Sequence, residues 1–219
     1  MNETSENYLK LIFTLQDRTL KSIKPSNLSR SFQVSPAAVS DMLKRLAEDQ
    51  FVVYQPYKGV RLTAKGRAIG QNMVRRHRIW EMYLHQVLKM PWDQVHAEAE
   101  ALEHASSDDL INQLEEALGF PKFDPHGDPI PSKDGNIPTQ ESLVSLSACT
   151  AGDIHQVLRV SDRDSRFLHY LNEIGIGLNT ILRILETRDF DGSVVVRFGD
   201  KTETLSAYSA THIFVKDTR

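Results

Sequence analysis

The chain has 219 residues, 40% of them apolar, and a formal net charge of −3, ordinary values for a soluble protein with material for one large or two to three small domains. No apolar run approaches the ~20 residues that cross a bilayer, and the start, MNETSENYLK, lacks the basic and apolar stretches of a signal peptide. Cys149 is the only cysteine, which excludes an intrachain disulfide and a multi-cysteine zinc site, so no membrane association and a cytoplasmic location are expected.

The charge is uneven. Residues 1–78 carry 14 Lys and Arg against 6 Asp and Glu, whereas the remainder carries 12 against 23. A basic head on an acidic body suits contact with phosphates by the head alone. Within it, residues 5–17 place Tyr8, Leu11, Ile12 and Leu15 at helical spacing behind a Ser5 cap. Pro25 opens a short helix over 25–32. After Gln33-Val34, Ser35 and Pro36 open another, PAAVSDMLKRLAED, that turns Val39, Met42, Leu43 and Leu46 to a core. Two short helices joined by a tight turn predict a helix-turn-helix. The following FVVYQPYKGVRLT reads as a hairpin around Tyr57-Lys58-Gly59, a wing. Ser35, Pro36, Ala37, Ala38, Ser40 and Asp41 are then candidates to meet base edges of double-stranded DNA. Lys44, Arg45, Lys58 and Arg61 are candidates for phosphates.

Residues 64–88 predict a long helix ended by Pro91, followed by helices over 92–105 and 108–119. His96, Glu100, Glu103 and His104 stand at i, i+4, i+7 and i+8, an arc of roughly 100° on one helix. Carboxylates held that close destabilise one another's ionised form unless a cation joins them. His77 and Glu81 form an i, i+4 pair on the preceding helix. Six potential ligands on adjacent helices, directly after a DNA-binding pattern, suggest a metal-sensing transcription factor. Spare apolar surface on these helices suits a homodimer. His85, His126, His155, His169 and His212 are read as surface or loop histidines. Residues 121–140, rich in Pro, Gly and Asp, read as a linker. Beyond them strands are expected at 155–161, 180–189, 192–199, 202–207 and 211–217, with a helix at 165–173.

The string RRHRIWEMYLHQVLKMPWDQVHAEAEALEHASSDDL, and then FDPHGDPIP, resembles the diphtheria toxin repressor and manganese transport regulator family, over essentially the whole chain. The resemblance implies a mainly α protein with small β parts: a winged helix-turn-helix (1–63), an α-helical metal-binding and dimerisation domain with a Pro/Gly linker (64–140), and a C-terminal SH3-like β-barrel of FeoA type (141–219). It implies two metal sites per subunit, a primary one of Asn7, Glu100, Glu103 and His104 and an ancillary one of His77, Glu81 and His96. Asp162 and Asp164 stand near where relatives supply a further ancillary oxygen. Glu100 replaces the cysteine of iron-responsive relatives, and Asn7 replaces Met or Asp. Carboxylate, amide oxygen and imidazole without thiolate favour Mn²⁺, with Fe²⁺ the alternative.

The expected function is a Mn²⁺-activated, homodimeric repressor of palindromic operators at metal-uptake genes. With the metal absent, the primary-site carboxylates are expected to repel and the first helix to sit loosely. An Fe²⁺-dependent repressor and a winged-helix regulator sensing an organic ligand are the alternatives. A metal-dependent hydrolase is not expected, because no HExxH or activated nucleophile motif and no site for an organic substrate is evident.

Overall fold

The computed structural model describes residues 1–19, 22–56, 58–139 and 142–216; Tyr57 at the expected hairpin tip and Asp217 at the end of the last expected strand lie outside them. The head comprises α1 (Glu3–Thr19), α2 (Pro25–Phe32), α3 (Pro36–Glu48) and the antiparallel hairpin β1 (Val52–Gln55) and β2 (Gly59–Leu62). Gln33, in left-handed conformation, stops α2, and the Ser35 hydroxyl accepts from the Ala38 amide to start α3 with Pro36 in its first turn. The apolar faces of these helices and the hairpin close over Leu9, Ile12, Leu28, Val39, Leu43, Leu46 and Val60, with Tyr8 stacked on Phe32 at 4.4 Å. Ile23 pairs with Val60, so the wing is anchored to the chain between α1 and α2.

Helix α4 (Ala64–Gln86) starts where the Thr63 hydroxyl accepts from Gly66 N, and it runs from the head into the body. It crosses α1 at Gly70, where an added Cβ would stand 2.5 Å from the Leu9 carbonyl oxygen. Two helices can approach that closely only where one has no side chain. Helices α5 (Val95–Glu103) and α6 (Asp108–Ala117) pack on α4. The expected start of α5 at Trp92 falls three residues early. Gln94 N bonds the Pro91 carbonyl in a turn, and Trp92 packs instead on the C-terminal core and stacks on His126.

The C-terminal part is a six-stranded antiparallel sheet of order β3-β8-β4-β5-β6-β7, formed by β3 (Leu143–Ser145), β4 (Ile154–Val160), β5 (Ile181–Thr187), β6 (Val194–Phe198), β7 (Lys201–Leu205) and β8 (Ile213–Lys216). Helix α7 (Ser165–Ile174) covers a core of Leu146, Val157, Leu168, Leu171, Leu182, Val196 and Val215. The short α8 (Ala207–His212) departs from expectation. The Ser206 hydroxyl caps it and delays the last strand to Ile213. The larger departure is the segment read as a linker. Asp124, His126, Asp128 and Ile130 are buried, and Gly127 lies so close to β4 that a Cβ would stand 2.1 Å from the Leu158 oxygen. His126 O accepts from Val160 N, and Phe123 pairs with Pro129. Pro, Gly and Asp mark turns, but composition does not distinguish a turn wedged between domains from free chain.

Among the described residues no helix is long and apolar enough to cross a membrane. The α1–α4 crossing yields a test: Gly70→Ala should lower stability by about 1–3 kcal/mol through overpacking, read as a shift in the urea midpoint; an unchanged midpoint would show that the crossing has slack.

Candidate metal centre

Three elements bring the ligand-type side chains together. α4 supplies His77 and Glu81 one turn apart; α5 supplies His96, Glu100 and Glu103 with His104 at its C-terminal end; α1 lays Glu6, Asn7 and Lys10 against them. Glu81 and Glu103 are wholly buried.

At the α1–α5 contact, His104 Nδ1 lies 2.7 Å from Glu6 Oε2, and His104 Nε2 lies 2.9 Å from Asn7 Oδ1 and 3.5 Å from Glu103 Oε1. A carboxylate can only accept, so the Nδ1 proton is directed at Glu6. Nε2 then faces the Asn7 amide, a contact that a cation lying between Nε2 and Oδ1, or an amide turned to donate its Nδ2–H, would satisfy. The 2.9 Å separation matches neighbouring ligands of an octahedral ion with bonds of about 2.1 Å. Glu6 thus orients His104 as a carboxylate behind a metal-binding imidazole does. Glu103 and Glu100 face the same region, but here Lys10 intervenes. Its Nζ lies 2.5 Å from Glu100 Oε1, 2.7 and 2.9 Å from the Glu103 oxygens and 3.1 Å from His77 Nδ1. Lys10 thus stands as a counter-charge to carboxylates that the sequence reading left without one. A lysine of α1 neutralises them and holds the helix.

His77 stands between the two expected sites rather than in one. Its Nδ1 is 2.6 Å from Glu103 Oε2, while its Nε2 is 2.9 Å from Glu81 Oε1 and 3.0 Å from His96 Nδ1. Burial pushes this imidazole down, but Glu81 and hydrogen bonds to Glu103 and Glu81 outweigh that and raise it to about 9, with Lys10 opposing. Glu81 suffers desolvation as well, yet His77 and the bonds from His77 and His96 hold its carboxyl well below the usual range. Glu100 is likewise lowered, Lys10 overcoming burial.

Around Glu81 the structure assembles more than the ancillary trio. Asp162 comes within 4.8 Å of both Glu81 and His96. Asp164 does not join them: its carboxylate caps α7 at Arg166 N and pairs with the Arg166 guanidinium at 2.8 Å. On the other side, Asp124 and His126 form a fully buried group with Glu81. His126 Nε2 donates to the Trp92 carbonyl at 2.8 Å, which leaves Nδ1 directed at Glu81 Oε2, 3.8 Å away. His126 Nδ1, Glu81 Oε2 and Asp124 Oδ2 have no hydrogen-bond partner. Burial, with Glu81 and Asp128 nearby, pushes Asp124 up to about 7. Burial lowers His126, but Asp124, Glu81 and Asp162 raise it overall. Two buried donors, His126 Nδ1 and Glu81 Oε2, thus lack a hydrogen-bond partner beside an Asp124 carboxylate that Arg78 Nε approaches at 3.4 Å.

His126, Asp124, Glu6 and Lys10 were not singled out from sequence, and His126 is corrected from surface to core. The Asp-Pro-His-Gly-Asp string, and the placement of Glu6 and Lys10 beside Asn7 on one helical face, were the available signals. His155 is also buried, on the Lys216 carbonyl.

In the head, Ser35, Pro36, Ala37, Ala38, Asp41, Lys44, Arg45, Lys58 and Arg61 are exposed and Ser40 is half-buried, its hydroxyl donating to the Pro36 carbonyl. Asp41 pairs with Lys44 at 3.3 Å, and the Ser35 oxygen is engaged as the α3 cap.

Comparison with known proteins matches residues 1–60 to "Iron dependent repressor, N-terminal DNA binding domain", 63–132 to "Iron dependent repressor, metal binding and dimerisation domain", and 144–217 to "FeoA domain". The chain is 30% identical to the iron-dependent repressor IdeR of Mycobacterium tuberculosis, covering 94% of both. Among solved structures it resembles a manganese-dependent transcriptional repressor in complex with manganese (40% identity, 97% of this chain and 99% of that one, TM-score 0.88). It also resembles ScaR with bound Zn²⁺ (28% identity, 99% of each, TM-score 0.82).

Two predictions follow from the geometry. Glu6→Ala should weaken divalent-metal affinity roughly 10–100-fold by freeing His104, as read by calorimetric titration; unchanged affinity would remove Glu6 from the site. His77 sits near 6.5 unfolded and about 9 folded, so its contribution to metal-free stability is complete below pH 6.5 and lost as pH rises through about 9. Metal affinity should run the opposite way, climbing over the same window because only neutral imidazole ligates. The urea midpoint of the metal-free protein and the metal titration, each measured from pH 6 to 9.5, check both; a response confined to pH 6 would indicate an unperturbed histidine.

Proposed function

The chain belongs to the family of metal-dependent transcriptional repressors described as iron-dependent repressors, and from that premise we propose that it is a homodimer activated by Mn²⁺ to bind palindromic operators of metal-uptake genes. The observation that carries this reading is the meeting of Asn7 from α1 with His104 and Glu103 at the end of α5. Donors from the DNA-reading head and from the helical body share one small volume.

In this reading residues 1–63 contact DNA, 64–140 hold metal and the second copy, and 141–219 form the SH3-like domain. Asn7, Glu100, Glu103 and His104 would hold the effector ion. His77, Glu81 and His96 would hold a second, with Asp162, Asp124 and His126 as further donors around Glu81. A bound divalent ion supplies double positive charge and fixed ligand directions. The donor set is oxygen and imidazole without thiolate, which supports Mn²⁺ over softer ions; Fe²⁺ is the near alternative. Glu6 presents His104, and Gly70 lets α1 approach closely enough for Asn7 to reach the end of α5. Holding α1 at one angle to α4 fixes the head, because α1 shares its core with α2, α3 and the hairpin. Two copies of α3 then present themselves about 34 Å apart, one turn of DNA. Exposed apolar side chains at Val87, Leu88 and Leu110 on the helical body support a second copy packing there. A repressor acting on chromosomal operators works in the cytoplasm.

Readout by α3 rests on small residues, so Lys44, Arg45, Lys58 and Arg61 carry affinity more than choice of sequence. Binding to a palindrome selected from random duplexes, at fixed ionic strength, should be about a hundredfold tighter with Mn²⁺ than without metal, roughly 2.7 kcal/mol of coupling. His104→Ala should abolish that difference while leaving the fold intact. Equal binding with and without Mn²⁺ would sink the co-repressor reading, and stronger activation by Fe²⁺ under anaerobic conditions would make iron the effector.

A further inference from the structure

Lys10 is placed where a metal ligand set normally holds its metal. Its ammonium touches Glu100 Oε1, both oxygens of Glu103 and His77 Nδ1, all between 2.5 and 3.1 Å. The side chain is largely buried, and Glu103 beneath it is wholly so. It leaves α1 three residues after Asn7, on the same helical face, so the helix that brings a metal donor brings a competing cation with it. A lysine ammonium and a divalent ion cannot occupy the same carboxylate oxygens. Side by side they repel, and more strongly in a buried site than in water.

We infer that Lys10 is a tethered internal cation that competes with the divalent effector for Glu100 and Glu103, and so sets the metal concentration at which this repressor engages DNA. The metal-free protein gains from the same contact. Two carboxylates that would otherwise lie close and uncompensated are neutralised, and α1 is held against α5 before any metal arrives. Loading the site exchanges that ammonium for a stronger cation, and Lys10 leaves Glu100 for solvent. Glu100 is the more exposed of the two carboxylates, so the side chain has a way out past it. The threshold is therefore a difference between two cations for one pair of carboxylates, not the bare affinity of the ligands.

The inference rests on the assignment of Asn7, Glu100, Glu103 and His104 to the effector site, and the test separates the two. Mn²⁺ affinity is measured by competition with a chelating dye for the full chain and for Lys10→Met, which keeps the length and apolar stem of the side chain. The variant should bind Mn²⁺ at least tenfold more tightly, and its metal-free form should unfold at lower temperature than the parent. Equal or weaker affinity in Lys10→Met overturns the competition. Failure of the parent chain to bind Mn²⁺ overturns the site assignment and the competition with it. A second measurement needs no variant: reductive methylation of the parent protein, read by peptide mass spectrometry, should label Lys10 faster in the presence of Mn²⁺ than in its absence. Labelling of Lys10 that is unchanged or slowed by Mn²⁺ overturns the exchange.

Discussion

A carboxylate taken out of water must be paired, and the body of this protein buries two, Glu81 and Glu103, without exposure. Unpaired, each would cost several kcal/mol or surrender its charge. The groups that answer them come from the head, the helical body and the loop after it: Lys10 from α1, His77 from α4, His96 and His104 from α5, His126 from the loop before the sheet. The arrangement of the domains is in large part the arrangement of partners for these two acids.

The pairing also joins the head to the candidate metal centre. α1 is a wall of the head's core through Tyr8, Leu9 and Ile12 and, on its other face, a wall of the site through Glu6, Asn7 and Lys10. A change of cation at Glu100 and Glu103 would act on α1, whose Tyr8, Leu9 and Ile12 share a core with the helix-turn-helix. A well-packed core transmits such a shift instead of absorbing it.

The loop of residues 121–131 does similar service between body and sheet. Arg78 of α4 lies 3.4 Å from Asp124 and donates to the Pro129 carbonyl, and Arg159 of β4 reaches Asp128 at 3.4 Å. The loop delivers Asp124 and His126 to Glu81 and docks on β4 through Gly127. Asp162, just past β4, arrives at the same glutamate from the sheet. The C-terminal domain is tied to the helical body by these loop contacts and by Trp92 packed on its core, while Asp162 brings a further carboxylate to the surroundings of Glu81.

Local chemistry made much of this legible in the sequence. Helical periodicity and the Ser35-Pro36 start placed the helices of the head and body, but Ser5 lies inside α1, which begins at Glu3 with Asn2 Oδ1 accepting from Ser5 N, and α4 ends at Gln86, ahead of Pro91. The i, i+4, i+7, i+8 stripe on α5 and the His77–Glu81 pair on α4 were visible because one helix is enough to align them. The tertiary structure alone decided what those stripes face. That His77 would sit between the two groups, that Lys10 would enter among the carboxylates, and that Glu6 would orient His104 depend on how α1 crosses α4 at Gly70. That His126 and Asp124 would be buried beside Glu81, and that Asp164 would cap α7, depend on where a Pro- and Gly-rich loop docks. Periodicity states which face of an element is apolar or charged. Which other element meets that face, and at what distance, is settled only by long-range packing.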